Sequence, residues 1–387
     1  MKTIPYGRQD INQADIQAVI EVLQSDWLTQ GPNLEQFEKK VAAYCGATYG
    51  VAVNSATSAL HIACLAAELG PNDILWTTPN TFVASANCGR YCGATVDFVD
   101  IDSRTYNMSV EKLEEKLVNA KKEGKLPKVV IPVHFAGQSC QMDRISMLAK
   151  EYGFIVIEDA SHAIGGRYKD QRVGSGAYSD MTVFSFHPVK IVTTAEGGMV
   201  LTNNQQFYER LIRFRSHGIT RKPELMTEEI HGPWYYQQID LGYNYRMTDL
   251  QAALGLSQMD RLDEFVTKRQ AIAAKYNQTL QGLPLLLPWQ HPDMYSSYHL
   301  YVICLQEDKI EETHKQVFVE LRQAGIGVNL HYIPVHTQPY YRQLGFEWGD
   351  FPISERYYQT AISIPMYSAM TEADQNEVIR VLKEVLS

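Results

Sequence analysis

The sequence predicts an α/β fold, with a mainly parallel sheet sandwiched by helices, followed by a smaller C-terminal α+β domain. From about residue 16 to residue 215, short β-rich runs alternate with helical stretches, which is typical of parallel strand pairing. Several of these runs, such as KVVIPVHF and FIVIED, are apolar throughout, as expected for strands covered on both faces. The length of 387 residues exceeds what one hydrophobic core usually fills, so more than one domain is expected.

The elements of the first domain follow from local apolar runs and helical periodicity. Strands are predicted at 49–53, 74–78, 95–99, 129–133, 154–158, 181–186 and 199–202. Helices are predicted between many of them, at 57–69, 110–122, 142–152 and 206–214.

The pattern changes after about residue 250. Apolar residues at helical spacing over 250–285 predict one long connecting helix. A strand-like YHLYVICL, a helix near 312–324 and a C-terminal helix from Thr371 follow. We therefore predict an N-terminal arm at 1–15, a large α/β domain at 16–254 and a small α+β domain at 255–387.

Composition narrows the class of protein. The formal net charge of −9 argues against a broad nucleic-acid surface but leaves room for a local phosphate pocket. The first residues lack a cationic-then-apolar leader, and no apolar run reaches 18 residues, so neither secretion nor a membrane span is expected. The six cysteines form no CxxC pair. We expect a cytoplasmic protein with reduced thiols and no metal site.

A lysine between two apolar strands is the first candidate for chemistry. Lys190 follows the strand that ends at Phe186, and Glu196 leads into the next strand. Desolvation lowers the pKa of a lysine and makes the amine a nucleophile. The alternative is that Lys190 is an ordinary surface turn residue.

A carboxylate pair follows the buried strand FIVIED. Glu158 and Asp159 reach its C-terminal end, with His162 three residues on. Open α/β sheets bind ligands at this edge, and a carboxylate there can keep a heterocyclic nitrogen protonated. The alternative is that Asp159 caps the next helix.

A small polar cluster, NSATS, opens the helix that follows the strand at 49–53. Free N–H groups and hydroxyls at a helix N-terminus bind phosphate, although simple capping is the alternative. Neither a GxxxxGK[ST] loop nor a GxGxxG fingerprint is present. Together, a phosphate cradle, a strand-end aspartate and a strand-end lysine match the needs of one cofactor, pyridoxal 5′-phosphate.

Beyond these three motifs, the chain resembles the DegT/DnrJ/EryC1/StrS sugar-nucleotide aminotransferases almost from end to end. The resemblance implies a fold-type I pyridoxal phosphate enzyme that aminates a keto sugar carried on a nucleotide diphosphate. It rests on WLTQGPNLEQFE (27–38), NSATSAL (54–60), TFVASAN (81–87), VDFVDID (96–102), EDASHAIGG (158–166), SFHPVKIVTTAEGG (185–198), RSHG (215–218), GYNYRMTDLQAALG (242–255) and HYIPVH (331–336).

The resemblance also implies roles for individual residues. Lys190 would bond covalently to the cofactor and Asp159 would bind its ring nitrogen, which makes these two the catalytic pair. The other implied cofactor contacts are Ala56 or Thr57 and Ser185 at the phosphate, Phe82 stacked on the ring, His162 near the phenolic oxygen, and Asn244 reaching the phosphate of a neighbouring subunit in a homodimer.

Substrate contacts are implied at Tyr6, Thr29, His331 and Tyr332. A two-histidine metal site at His331 and His336 is conceivable, but a spacing of five does not place both on one helix face and no third ligand is evident. Core packing remains the alternative for each residue of HYIPVH.

Within the family, LTQGP, TTAEGG and ALGLSQ resemble the members of pseudaminic acid biosynthesis. This implies transfer of the amino group of L-glutamate to C4 of a UDP-linked 4-keto-6-deoxy-N-acetyl hexosamine. The alternatives are another UDP- or dTDP-keto-6-deoxy sugar, such as a bacillosamine-type or O-antigen sugar, a sugar dehydratase, or an idle sugar-nucleotide binder. Dehydratases of the family carry histidine in place of the lysine that Lys190 retains.

Overall fold

The computed structural model describes residues 3–386, so residues 1, 2 and 387 of the predicted arm and small domain lie outside the described residues. The helices are α1 (Gln13–Leu23), α2 (Pro32–Cys45), α3 (Ala56–Ala66), α4 (Ala84–Tyr91), α5 (Val110–Glu123), α6 (Met142–Tyr152), α7 (Gln205–Arg215), α8 (Asp249–Met259), α9 (Leu262–Thr279), α10 (His314–Gln323), α11 (Pro339–Arg342), α12 (Pro352–Thr360) and α13 (Glu372–Val385). The strands are β1 (Tyr49–Val53), β2 (Ile74–Thr77), β3 (Thr95–Phe98), β4 (Val129–Val130), β5 (Ile155–Asp159), β6 (Arg167–Tyr168), β7 (Gln171–Arg172), β8 (Met181–Ser185), β9 (Gly198–Thr202), β10 (Ile219–Thr220), β11 (Gln237–Gln238), β12 (Leu285–Leu286), β13 (Met294–Tyr295), β14 (Tyr301–Leu305) and β15 (Ala361–Ile364).

A central sheet organises the described chain. Its seven strands run in the order β1-β9-β8-β5-β4-β2-β3. The pairs from β8 to β3 are parallel, whereas β9 is antiparallel to both β8 and β1. The fold class predicted from the sequence is confirmed, with β9 as the single reversed strand of this sheet.

This topology places the ends of four strands at one edge of the sheet. Because β9 is antiparallel to both neighbours, β1 and β8 run the same way as β5. The C-terminal ends of β1, β5 and β8 and the N-terminal end of β9 therefore meet at one edge, which is where open α/β sheets bind ligands.

Helices cover both faces of the sheet. Apolar side chains of α3 and α4 pack on one face, around Leu60, Ile62 and Cys88. The other face packs against α5 and α6, around Leu113 and Ile145. Burial on both sides explains why β8 and β9 are apolar along most of their length and buried at every residue.

A second antiparallel sheet, β12-β14-β15, lies in the C-terminal part of the chain. Residues of α9, α10 and α13 pack with it in a separate apolar cluster. The N-terminal arm joins this region, because Ile4 pairs with Ile326 and the carbonyl of Tyr6 accepts a hydrogen bond from the Met366 N–H. The predicted boundary at residue 254 stays a prediction.

The predicted single connecting helix over 250–285 is wrong, because α8 ends at Met259 and α9 starts at Leu262. The guanidinium of Arg261, at the break, donates hydrogen bonds to Asp10 at 2.9 Å and to Asp15 at 2.6 Å. These ion pairs with the N-terminal region favour a break that the local apolar periodicity does not reveal. Within residues 3–386, no helix is both long enough and apolar enough to cross a membrane.

Candidate active site

A cavity of about 430 Å³, lined by both polar and apolar side chains, opens at the edge where these strand ends meet. The ends of β5 and β8, the start of α3 and the segment 329–332 border it. Ten of the residues predicted from the sequence line this cavity: Tyr6, Ala56, Thr57, Phe82, Asp159, His162, Ser185, Lys190, His331 and Tyr332.

Thr29 and Asn244 do not line the cavity of their own chain. Thr29 forms an isolated bridge with Thr248, and Asn244 forms one with Ser216. Their predicted contacts, with a substrate for Thr29 and with a neighbouring subunit's cofactor for Asn244, stay predictions.

The start of α3 offers free donors to an anion. Ser55 caps the helix by accepting a hydrogen bond from the Ser58 N–H at 3.1 Å. In the described part of the chain, the N–H groups of Ala56 and Thr57 donate to no partner and border the cavity. Such a pair of amides at a helix N-terminus is a phosphate-binding arrangement.

Gly198 allows β9 to pass directly beside this helix start. A Cβ atom at Gly198 would lie 2.6 Å from the Ala56 nitrogen, closer than any side chain tolerates. Ser185 pairs with Gly198 across the sheet and is buried at the end of β8. The hydroxyl of Ser185 and the two free amides therefore flank one corner of the cavity.

Asp159 is fixed at the end of β5 by its neighbours. Its Oδ2 accepts a hydrogen bond from the Ser85 hydroxyl at 2.6 Å, and its Oδ1 accepts one from the Ser161 N–H at 3.1 Å. Its N–H donates to Pro132 and its carbonyl accepts from His134, so the backbone is held as well. The carboxylate is thus a rigid, buried acceptor facing the cavity.

Glu158 points to the opposite face of the sheet, because successive strand residues alternate. It accepts hydrogen bonds from His134, Ser179 and Thr182. Burial disfavours its charge, but these donors keep the pKa of Glu158 below its ordinary value. Of the two carboxylates that follow the apolar run, only Asp159 lines the cavity.

Lys190 lies in the turn between β8 and β9, where its N–H donates to the His187 carbonyl at 2.9 Å. Burial lowers the pKa of its amine to about 8, and the charge of Asp159 opposes this shift. Among the described residues, its Nζ has no ion-pair or hydrogen-bond partner. An amine with this pKa is partly neutral at physiological pH and can act as a nucleophile or a base.

Aromatic and imidazole rings form the opposite wall. Phe82 borders the cavity with 58% of its surface exposed, which is unusual for a large apolar ring at a pocket. Burial and the nearby charge of Lys190 lower the pKa of His331 to about 3, so this imidazole is neutral. Its Nδ1 lies 2.8 Å from the Ser363 hydroxyl, and its ring packs 5.3 Å from that of Tyr6.

His162 lies in the centre of this wall. Its Nδ1 accepts a hydrogen bond from the Ala136 N–H at 3.3 Å, and its Nε2 lies 3.0 Å from the Tyr332 hydroxyl. Burial, the charge of Lys190 and the neighbouring His331 hold the pKa of His162 well below its ordinary value. His162 is therefore a neutral ring with both nitrogens engaged by the protein.

Sequence reasoning missed several residues of the cavity region. Thr81, His299 and Asn329 line it, and Ser85 supports Asp159 from behind while lying 2.8 Å from the Thr81 hydroxyl. Thr81 lies before the start of α4 at Ala84, so helical spacing gives no signal for its contact with Ser85. His299 has no sequence signal, because it opens an apolar strand region.

A larger cavity, about 580 Å³, lies over the edge strand β3 and does not share these features. Its Lys116 is paired with Asp97 at 2.7 Å, and its Lys125 with Glu123 at 3.0 Å. Across residues 3–386, no group of three or more His, Cys, Asp or Glu side chains is arranged to hold a metal ion.

The residues at the cavity fit pyridoxal 5′-phosphate. Two unused amides and a hydroxyl suit the phosphate, a fixed carboxylate suits the ring nitrogen, and an unpaired amine suits the aldehyde. The exposed ring of Phe82 supplies an apolar face for a heterocycle.

The DegT/DnrJ/EryC1/StrS aminotransferase family profile matches residues 9–383. The chain belongs to this family. It is a sugar-nucleotide aminotransferase that depends on pyridoxal phosphate.

Named relatives are similar over almost the whole chain. The spore coat polysaccharide biosynthesis protein SpsC of Bacillus subtilis is 40% identical over 386 residues, covering 99% of this chain and 97% of SpsC. The UDP-4-amino-4,6-dideoxy-N-acetyl-β-L-altrosamine transaminase of Campylobacter jejuni serotype O:2 is 37% identical over 387 residues, covering 99% and 97%.

Solved structures agree with the fold and the cofactor. Helicobacter pylori PseC, an aminotransferase involved in the biosynthesis of pseudoaminic acid, has a TM-score of 0.89 at 30% identity and covers 100% of this chain and 99% of its own. Spr1654 of Streptococcus pneumoniae, described as a putative sugar aminotransferase, has in its pyridoxal phosphate form a TM-score of 0.87 at 29% identity, with 100% of both chains covered.

Proposed function

We propose that the protein transfers the amino group of L-glutamate to C4 of a UDP-linked 4-keto-6-deoxy-N-acetyl hexosamine, a step of pseudaminic acid biosynthesis. The observation that carries the proposal is the unpaired amine of Lys190 in the same cavity as the fixed carboxylate of Asp159. The Campylobacter jejuni altrosamine transaminase and Helicobacter pylori PseC support the choice of sugar.

Residues of this chain would hold the cofactor in a fixed position and orientation. The amides of Ala56 and Thr57 and the Ser185 hydroxyl bind the phosphate, and Phe82 covers one ring face. Asp159 keeps a proton on the ring nitrogen, because a buried carboxylate favours a positive charge beside it. When bound, pyridoxal phosphate supplies an aldehyde that takes up the amino group and a ring that withdraws electrons from the reacting carbon.

Lys190 moves the proton in both halves of the reaction. In the first half it would take the proton from the α-carbon of glutamate; water would supply the keto oxygen of the departing 2-oxoglutarate, and the amino group would stay with the cofactor. In the second half it would return a proton at C4 of the sugar as the retained amino group replaces the ketone oxygen, which leaves as water. A pKa of about 8 suits this work, because a catalytic base is most effective near the pH at which it operates.

The sugar side of the cavity is built by the C-terminal part of the chain and the arm. His331, Tyr332 and Tyr6 lie together there, and Asn329 borders them. Neutral imidazole and phenol groups suit hydroxyl and amide groups of a sugar, which need both donors and acceptors.

A second candidate is a different keto sugar destined for a surface polysaccharide. It is favoured by the 40% identity to a spore coat polysaccharide biosynthesis protein, which exceeds the identity to the Campylobacter jejuni transaminases. A sugar dehydratase or an idle binder is disfavoured, because Lys190, Asp159 and Ser185 are all present at one cavity.

The deciding experiment is a substrate panel. The purified holoenzyme is incubated with L-glutamate and UDP- or dTDP-linked 4-keto-6-deoxy sugars, and products are identified by mass spectrometry and NMR. We expect C4 amination of the UDP-linked N-acetyl sugar at the highest kcat/KM. Preference for another keto sugar would favour the second candidate, and glutamate-independent loss of water would indicate a dehydratase.

A further inference from the structure

The hydrogen bonds of His162 fix where its proton resides. A backbone amide can only donate, so the contact from the Ala136 N–H requires a bare lone pair on Nδ1. The ring is neutral because it is buried and lies near Lys190. A neutral imidazole carries one proton, which must therefore be on Nε2.

This assignment gives the contact with Tyr332 a direction. The Nε2–H of His162 donates to the phenolic oxygen of Tyr332, 3.0 Å away. The oxygen is the acceptor in this bond, so the hydroxyl's own hydrogen is directed elsewhere. In the described part of the chain, no other side chain or backbone group hydrogen-bonds to this hydroxyl.

The surroundings keep that hydrogen in place. Burial and the charge of Asp159 raise the pKa of Tyr332, so the phenol stays protonated. The other ionisable groups that face this pair are Lys190, His299, His331, Tyr6 and Tyr357. Neither histidine is charged near neutral pH, because burial lowers the pKa of both.

The family resemblance implies that His162 lies near the phenolic oxygen of the cofactor. To hydrogen-bond that oxygen, His162 would have to lose one of its two protein partners. Both of its nitrogens are committed, whereas the Tyr332 hydroxyl borders the cavity with a hydrogen to donate. We propose that Tyr332 donates a hydrogen bond to an electron-rich oxygen of the bound ligand, and that His162 is the residue that positions it. The oxygen is either the phenolic oxygen of the cofactor ring or the C4 keto oxygen of the sugar.

The first test needs no cofactor. Protein labelled with ¹⁵N-histidine, in its cofactor-free form, is followed by NMR across neutral pH, and His162 is assigned by the signal lost in His162→Gln. We expect a neutral ring with the proton on Nε2 and a bare Nδ1. A proton on Nδ1, or a charged ring at neutral pH, would overturn the proposal.

The second test uses Tyr332→Phe, which keeps the ring and removes the hydroxyl. Tyr341→Phe is the matched control. Tyr341 lies away from the cavity, and its buried hydroxyl donates a hydrogen bond to Asn87 at 2.8 Å. In the holoenzyme, we follow the pH midpoint of the visible cofactor band and, separately, the rates of the glutamate and sugar half-reactions.

The two sources of the oxygen give different results. A donor to the ring oxygen stabilises its anion, so Tyr332→Phe would raise the pH midpoint by about one to two units. A donor to the sugar oxygen would leave the midpoint unchanged and slow only the sugar half-reaction, by about tenfold or more. Either result supports the proposal, and a variant matching Tyr341→Phe in both measurements would contradict it.

The interpretation that involves the sugar oxygen rests on the proposed function, but the NMR and midpoint measurements do not. If the wild type fails to aminate the UDP-linked sugar while His162 carries its proton on Nε2 and the midpoint shifts, the proposed substrate is wrong and the role of Tyr332 stands. The half-reaction is then repeated with whichever keto sugar the panel identifies.

Discussion

We predict that turnover depends on Lys190. Lys190→Ala removes both the nucleophile and the base, so we expect kcat to fall by about a thousandfold or more. The thermal unfolding midpoint should stay close to that of the wild type, because the amine makes no ion pair. Lys268→Ala, on an exposed helix face beside Glu264, is the control and should keep full activity.

The protonation of Lys190 makes cofactor binding depend on pH. The neutral amine is the reactive form, so the association rate of pyridoxal phosphate with the cofactor-free protein should rise with pH and level off above about 8. Asp159→Asn removes the negative charge that raises the pKa of this lysine, so its profile should shift to lower pH. Stopped-flow absorbance measures both profiles, and an upward shift in Asp159→Asn would refute this account.

Ser85 supports the Asp159 carboxylate, which we propose binds the ring nitrogen of the cofactor. Ser85→Ala removes a buried donor to Asp159, a charged-group hydrogen bond whose loss corresponds to about a tenfold to hundredfold effect. We expect kcat to fall by this factor and cofactor affinity to weaken, both measured by absorbance titration and half-reaction kinetics. Thr81→Ala, one hydrogen bond further away, should have a smaller effect.

At the scale of residues, the sequence predicts the cavity residues that lie at strand ends. It does not predict the hydrogen bonds between residues that are far apart in the sequence. The location of Lys190 and Asp159 at the cavity is predictable because each lies within a few residues of the end of an apolar run. Ser85 reaches Asp159 across 74 residues of sequence separation, and the hydrogen bond from Ala136 to His162 depends on a turn at 135–137. No local pattern encodes either contact.

Among the elements, the contact between β9 and the start of α3 is the least tolerant of change. Gly198→Ala would force its Cβ against the Ser55–Ala56 peptide and displace the free amides of α3 that we propose bind the phosphate. We expect a loss of about 1–3 kcal/mol in the free energy of unfolding and a clear loss of cofactor affinity. Chemical denaturation and absorbance titration measure these quantities.

Gly70→Ala is the control for this substitution. A Cβ at Gly70 would have its nearest neighbour, Asp73, at 3.9 Å, so both measurements should remain near the wild-type values. Equal effects at the two glycines would show that backbone entropy, rather than the close approach at Gly198, is responsible.

Strands and helices with a clear period were predicted to within a few residues. The helix 142–152 and the strand 49–53 match α6 and β1 in full, while β4 is much shorter than the apolar run 129–133. The run continues as buried but irregular backbone that leads to His134. The break between α8 and α9 was missed because it is set by Arg261 and two aspartates near the N-terminus.

For the whole molecule, we predict a dimer in which Asn244 serves the partner's cavity. Lys190→Ala and Asn244→Ala are each expected to be inactive. When the two are mixed and reassembled, a heterodimer would contain one site with both residues intact, so activity should return to about a quarter of the wild-type level. Activity assays with sedimentation velocity test this, and no recovery despite heterodimer formation would contradict a shared site.

The arm that carries Tyr6 docks against residues that are synthesised more than 300 positions after it. Ile4 pairs with Ile326, and Tyr6 accepts a hydrogen bond from Met366. During synthesis on the ribosome, the large sheet can form long before the arm docks against Ile326 and Met366. The wall of the cavity that Tyr6 provides is therefore completed only after Met366 has been synthesised, and chains that stop between Lys190 and Ile326 would lack it.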